Sequence, residues 1–392
     1  MKSVMRAALL ALVVVCGLVV PRPSPAMVEG FYDASPAELA GPPGSIIRIE
    51  PWPVQGIYRA KVLRILYRSL DPGGRMIAVS GSVIIPDFAI PPGGRRIVAW
   101  AHPTTGVARH CAPTLTQTPF DSIAGLTDLV AAGFVVVATD YPGLGTAGVH
   151  PYLVGVSEGR AVLDSIRAVK AIPEASASDQ AALWGHSQGG HAALWAGQLA
   201  HSYAPEIQLR GVAVAAPATA LAELLDDDED TSGGKVLLAL ALHSWSQLFG
   251  YSPANVVRAE DVPIITKAGS DCIDITASAL NALQTVGELG NAYLIGDPAK
   301  VEPWSSTMAR NSPGSSRIGA PIFIAQGSSD NVVDPPVTKA YARHLCGNGE
   351  TVDYHELEGI DHGLAARKSS SRAVGWMIER FEGRAVSGCQ FR

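Results

Sequence analysis

Short apolar runs recur along the chain, separated by segments with helical spacing. Runs rich in Val, Ile and Ala at 80–86, 96–101, 134–139, 181–184, 211–215 and 321–325 predict strands buried on both faces. A seventh, at 351–357, alternates less cleanly. The run Phe134-Val135-Val136-Val137-Ala138-Thr139 lies between Gly133 and the turn Asp140-Tyr141-Pro142-Gly143. Residues 157–172 predict an amphipathic helix with Val162, Ile166 and Val169 on one stripe. Helices are also predicted over the Ala-rich 188–200 and near the C-terminus at 372–381. Strands and helices in alternation predict an α/β fold, a mostly parallel sheet with helices on both faces.

The rhythm breaks between Pro217 and Arg317. That stretch holds an acidic run, Asp226-Asp227-Asp228-Glu229-Asp230, and an apolar helix at 236–248. It reads as a largely helical cap, 218–317, inserted between core segments 27–217 and 318–392. The acidic run lacks the spacing of a calcium loop and reads as a solvated turn.

Composition narrows the class. In 392 residues, 47% are hydrophobic and 17% charged, which excludes a mainly disordered chain. Thirty basic residues against thirty-six acidic ones leave a charge of −6 and no electrostatic footprint for nucleic acid. Residues 1–26 read as a secretory signal. Lys2 and Arg6 precede an apolar run at 7–20, and Ser24-Pro25-Ala26 offers a cleavage site near Ala26. The run is too short for a span of ~20 residues, and Pro21 and Pro23 follow it. Cys16 stands behind Val15 rather than a small residue, against a lipid anchor. Export, to the periplasm or beyond the cell, removes Lys2, Arg6 and Arg22 and takes the charge from −6 to −9. It also leaves Cys111, Cys272, Cys346 and Cys389, enough for two disulfides in three possible pairings. No C-x-x-C pair or H-E-x-x-H helix suggests a metal, so none is expected.

Gly185-His186-Ser187-Gln188-Gly189 fits G-x-S-x-G, the turn that exposes a serine nucleophile between a strand and a helix. A second copy occurs at Gly155-Val156-Ser157-Glu158-Gly159, so the pattern alone does not choose. Context does. Ser187 follows an apolar strand and opens a helix whose first turn is small, whereas Ser157 opens a charged helix and reads as its N-cap. A serine hydroxyl needs a base to take its proton and a carboxylate to orient that base, here expected in the order Ser…Asp…His. Asp330 sits on the turn after 322–327, with Asp334 as its rival. His362 sits in the glycine-flanked loop Gly359-Ile360-Asp361-His362-Gly363, whereas His355 lies within a strand and reads as structural. His150, His191 and His201 read as packing or surface residues. The oxyanion that forms on attack needs two donors. The N–H of Gln188 is one, and the loop His102-Pro103-Thr104-Thr105-Gly106 supplies the other, from Thr104 or, failing that, Thr105. Gly143-Leu144-Gly145-Thr146-Ala147-Gly148 spells G-x-G-x-x-G, but Val149-His150-Pro151 follows where a nucleotide-binding helix should open, so no cofactor is expected.

The His102–Gly106 loop segment, Cys111-Ala112-Pro113, the Asp140–Gly145 turn, His150-Pro151-Tyr152 and the motif around Ser187 together resemble the secretory lipase family of α/β-hydrolases. The resemblance runs from about residue 40 to the C-terminus. It implies the α/β-hydrolase fold, the triad Ser187, Asp330 and His362, and a helical cap that helps to bind the acyl chain. It also implies disulfides Cys111–Cys272 and Cys346–Cys389. Pro103 stands where many members have glycine. The expectation is a secreted, monomeric carboxylic ester hydrolase, a lipase or carboxylesterase, acting on small-molecule or lipid esters, with a lipid–water interface as a further partner. The same triad could serve a peptidase or acyltransferase, and the fold could serve a non-catalytic binding protein.

Overall fold

The computed structural model describes residues 30–392 except 55, 58, 228–230, 274–275, 291 and 387. The expected signal segment, 1–26, and residues 228–230 of the acidic run lie outside the described residues.

Ten strands form one sheet: β1 (Ile46–Pro51), β2 (Ala60–Leu70), β3 (Met76–Pro86), β4 (Arg95–Ala101), β5 (Val135–Thr139), β6 (Ala177–His186), β7 (Gln208–Ala215), β8 (Ile322–Gly327), β9 (Val352–Leu357) and β10 (Gln390–Phe391). Their order is β1-β2-β3-β5-β4-β6-β7-β8-β9-β10. The first three strands and the β3–β5 junction are antiparallel, and every pairing from β5 to β10 is parallel. The α/β-hydrolase reading thus describes the observed architecture.

The helices found among the described residues are α1 (Leu126–Ala131), α2 (Gly155–Lys170), α3 (Gln188–Tyr203), α4 (Leu221–Asp227), α5 (Ser232–Phe249), α6 (Val262–Ala268), α7 (Thr276–Gly287), α8 (Trp304–Asn311), α9 (Pro335–Gly347) and α10 (His362–Phe381). Period-two alternation sends neighbouring side chains of β4 to opposite faces. Ile97, Ala99 and Ala101 join a core with Val162 and Ile166 of α2 and Leu194 of α3. Val98 and Trp100 join a second core with Leu129 of α1 and Trp376 and Met377 of α10. With both faces covered, the middles of these strands, such as Ile97–Ala101, Val135–Ala138 and Ile322–Ala325, are apolar, which is why they read as unbroken runs.

Three departures from the sequence reading have local causes. Strand β2 escapes detection because Lys61, Arg64, Arg68 and Ser69 interrupt it. Arg64 is nonetheless buried: its guanidinium lies 4.4 Å from the Trp52 ring and pairs with Glu50 at 2.9 Å. Helix α10 starts at His362, ten residues before the expected 372, because the polar stretch 367–371 hides its first turns. Asp361 starts it by accepting the Leu364 N–H at 2.9 Å. Helix α2 starts at Gly155 with Val154 as its N-cap, so Ser157 is not the cap but a fully buried residue of the first turn. The Glu158 carboxylate accepts the Leu153 N–H at 3.0 Å in its place.

Helices α4 to α8 lie between β7 and β8 and build a third core around Leu238, Leu242, Trp245 and Trp304. Two hydrogen bonds donated from α5, and one that Ser244 accepts from the Tyr152 N–H at 3.1 Å, tie this layer to the loop between β5 and α2. Ser244 donates to the His150 carbonyl at 2.6 Å and the Trp245 indole to that of Tyr152 at 2.8 Å. A disulfide from Cys111 to Cys272 and another from Cys346 to Cys389 are formed, the pairings that the resemblance implies.

Candidate active site

The site begins at the end of β6. The chain must turn from a buried strand into α3 within one residue, and that residue is Ser187, at φ 57° and ψ −120°. Such a backbone costs a non-glycine residue on the order of 1–3 kcal/mol, so the surroundings must hold it. The Ser187 N–H donates to the Ala215 carbonyl at 3.0 Å, and its carbonyl accepts from His191 at 3.0 Å and Ala218 at 3.3 Å. The neighbouring glycines are required by space. A Cβ on Gly185 would stand 2.0 Å from the Gly189 carbonyl oxygen, and one on Gly189 1.9 Å from that of Ala101. The second G-x-S-x-G has another purpose. A Cβ on Gly155 would stand 2.1 Å from the Trp195 ring, so the Gly155 and Gly159 positions let α2 and α3 approach closely.

The tight turn lifts the Ser187 hydroxyl out of the sheet. His362, the first residue of α10, puts Nε2 2.9 Å from Ser187 Oγ. Its Nδ1 lies 2.9 Å from Asp330 Oδ2. Asp330 comes from the turn after β8, and its carboxylate is buried. Its Oδ1 accepts the N–H groups of Val332 and Val333 at 2.9 and 2.8 Å, and Oδ2 also accepts from Gln326 at 2.9 Å. Burial pushes its pKa up. The hydrogen bond and charge of His362 and the two amides outweigh that and hold the group below its ordinary value. Asp334, the rival, instead is the N-cap of α9. His355 lies in β9 against Asp353 and Arg372, away from the serine.

Two backbone N–H groups beside Ser187, those of Gln188 and Thr104, have no acceptor among the described residues. Thr104 borders the same cavity as Ser187 and His362, whereas Thr105 is buried and its carbonyl accepts the Ile273 N–H at 2.9 Å. The Thr104 hydroxyl is fixed by the Tyr152 hydroxyl at 3.0 Å. His186, fully flanking the serine, has its pKa pushed down to about 3 by burial and by the charge of His362. It therefore stays neutral and donates its Nε2 proton to the His362 carbonyl at 2.9 Å.

Behind Gln188 lies a polar cluster the sequence reading missed. Glu158 is wholly buried and accepts from Gln188 Nε2 at 2.7 Å, while its other oxygen meets His191 Nδ1 at 2.7 Å. His150 Nε2 lies 3.1 Å from the same Gln188 amide. His150 and His191 are buried, in keeping with a packing role, but they also bear on the residue after the nucleophile, His150 directly and His191 through Glu158. One signal was available: Glu158 precedes Val162 and Ile166 at four-residue steps, which puts a charge on the buried stripe of α2.

A cavity of about 1420 Å³ opens over Ser187, bordered by Thr104, Phe120, Val236, Leu237, Ile273 and His362. The glycine-rich 143–148 segment is a loop after β5, with Gly143 held at φ 79° against the His150 backbone. Among the described residues, one group has metal-like spacing, His110 with Cys111 and Cys272. Its two sulfurs are joined to each other, which leaves His110 alone as a donor. No helix of the described residues is long and apolar enough to cross a membrane.

The model of the family described as secretory lipase matches residues 111–388. "Lipase A" of Arthroderma benhamiae is 24% identical over 403 residues, covering 94% of this chain and 82% of the relative. "Trichothecene C-3 esterase" of Fusarium sporotrichioides is 23% identical over 383 residues, covering 92% and 84%. The fold is similar to that of Candida antarctica lipase A, with a TM-score of 0.78 at 19% identity, covering 92% of this chain and 88% of that one.

Proposed function

The chain belongs to the secretory lipase family, and on that premise we propose that it is a secreted serine hydrolase that cleaves carboxylic esters through an acyl-enzyme on Ser187. The observation that carries the reading is the unbroken line of hydrogen bonds from Asp330 through His362 to Ser187, each 2.9 Å long. His362 Nε2 takes the Ser187 proton as Oγ bonds to the acyl carbon. The Gln188 and Thr104 N–H groups hold the oxyanion that forms. The C–O bond to the alcohol then breaks as Nε2 returns the proton to the leaving oxygen. Water repeats the sequence and frees the acid. Asp330 remains ionised throughout and fixes the imidazole tautomer. Its depressed pKa supports that role.

The segment 218–317 acts as the cap over this site, carried by the core segments 27–217 and 318–392. Residues 1–26 direct export and are removed near Ala26. Family membership, the two disulfides and the sequence pattern of the signal support this. The substrate is a small-molecule or lipid ester, and the chain works as a monomer.

Turnover of p-nitrophenyl acetate and labelling by a fluorophosphonate test the reading. Wild-type protein should do both. Ser187→Ala should lose labelling and at least about 10⁴-fold in kcat, since a serine triad without its nucleophile retains only what binding and the oxyanion site supply. Unchanged turnover in that variant removes the mechanism.

A further inference from the structure

Ser187 faces two spaces of very different size. One is the open cavity of about 1420 Å³, which His362 and Thr104 border. The other is a mostly apolar pocket of about 30 Å³ beside it, sharing Leu237 and Val332 with the cavity and walled by Leu153, Leu221, Leu224, Leu225 and Val333. Ser187 and Gln188 border that pocket, and His362 does not.

The chemistry of ester cleavage assigns the two halves of a substrate to these spaces. The tetrahedral carbon carries Ser187 Oγ, the oxyanion, the leaving alcohol oxygen and the acyl tail. The leaving oxygen must come within hydrogen-bond reach of the imidazole that returns its proton. His362 borders the open cavity alone, so the alcohol lies there. With the oxyanion directed to the Gln188 and Thr104 N–H groups, the remaining substituent, the acyl tail, is directed into the small pocket. Its apolar walls suit a group without polar atoms.

Size then sets chain length. With about 30 Å³ against about 1420 Å³ in the open cavity, the pocket takes a short tail of a few carbons and not a long chain. Leu221, Leu224 and Leu225 are themselves buried among the helices between β7 and β8, and packed walls do not yield space freely. We propose, resting on the assignment of Ser187 and His362 above, that the preferred substrates are short-chain acyl esters of bulky alcohols, acetyl esters among them, the acyl tail in the small pocket and the alcohol in the open cavity.

Two isomeric esters separate the halves: octyl acetate and methyl nonanoate carry the same atoms with the long chain on opposite sides. Octyl acetate should show at least tenfold higher kcat/KM, and among p-nitrophenyl esters the octanoate should fall at least tenfold below the acetate. Leu224→Ala, or Leu225→Ala should the first not fold, removes a wall and should raise the octanoate-to-acetate ratio at least tenfold. Methyl nonanoate matching octyl acetate, octanoate matching acetate, or an unchanged ratio in a folded wall variant overturns the proposal while Ser187 still labels with fluorophosphonate. Loss of labelling together with absent p-nitrophenyl acetate turnover overturns the hydrolase reading itself, and this inference with it.

Discussion

Ser187 stands in a backbone conformation that only the residues around it can enforce, and the same surroundings set the charges at the site. Asp330 accepts two backbone amides and the Gln326 side chain as well as His362, so it is held ionised and immobile. Asp330→Asn keeps the shape and offers the wrong tautomer to the imidazole. We expect a fall of about 10⁴-fold in kcat with p-nitrophenyl acetate and near-normal folding by circular dichroism. The buried histidines set a stability profile. Burial pushes His102 down to about 4, and burial with the His362 charge pushes His186 down to about 3. Both folded values lie below the unfolded value near 6.5, so the unfolded chain binds more protons between about pH 4 and 6.5. Stability therefore falls as pH drops through that window, by about 1.4 kcal/mol per unit for each histidine. Asp140 has the opposite sign. Burial raises it to about 6 against hydrogen bonds from Ser80 and Thr114, so the fold keeps a proton that the unfolded chain loses near pH 4, offsetting one histidine. His150 and His243, also lowered by burial, add to the loss, so urea unfolding should show stability falling from pH 6 to 4, and His186→Gln should reduce that slope. The three proposed triad residues were legible in the sequence because each sits on a short turn with its own local signature. The Glu158 cluster was not singled out, because its meaning depends on Gln188 and His191 arriving from another helix.

At the scale of elements, β4, the β6–α3 turn and α3 cross with backbone close against backbone. Gly189→Ala drives a Cβ to 1.9 Å from the Ala101 carbonyl oxygen, backbone against backbone, with no side chain to move aside. We expect a loss of more than about 4 kcal/mol, or failure to fold, in a chemical denaturation experiment. Gly375 provides the contrast. It lies exposed within α10 with nothing within 4 Å of a new Cβ and no positive φ, so Gly375→Ala should raise stability by about 0.5–1 kcal/mol through helix propensity alone. The elements themselves were legible in proportion to their burial. Strands β4 to β8, covered on both faces, read directly as apolar runs. Strand β2 did not, because its cations find partners outside the run: Lys61 in Glu174, Arg64 in Glu50 and the Trp52 ring, and Arg68 in the Ser45 hydroxyl and the Glu38 carbonyl.

Across the whole molecule, two disulfides link segments that chain order keeps apart. Cys111 and Cys272 close a separation of 161 residues and Cys346 and Cys389 one of 43. In the chain-entropy account these correspond to about 5 and about 4 kcal/mol of restraint on the unfolded state. Replacing Cys111 and Cys272 together by serine should cost more stability in urea than replacing Cys346 and Cys389. Cys272 also ties the helices between β7 and β8 to the loop that carries Thr104, through the Thr105–Ile273 bond beside it. By itself the sequence determined the strand–helix alternation, the turn that bears Ser187 and the residues eligible to serve it, since period, glycine placement and turn chemistry are properties of neighbours along the chain. Which partners meet, which amides are left unbonded beside Ser187, and how little room lies behind it were decided only by tertiary structure. Those are distances between residues from 32 to 175 positions apart along the chain, and short-range pattern carries no information about them until the sheet is wound and its helices are packed.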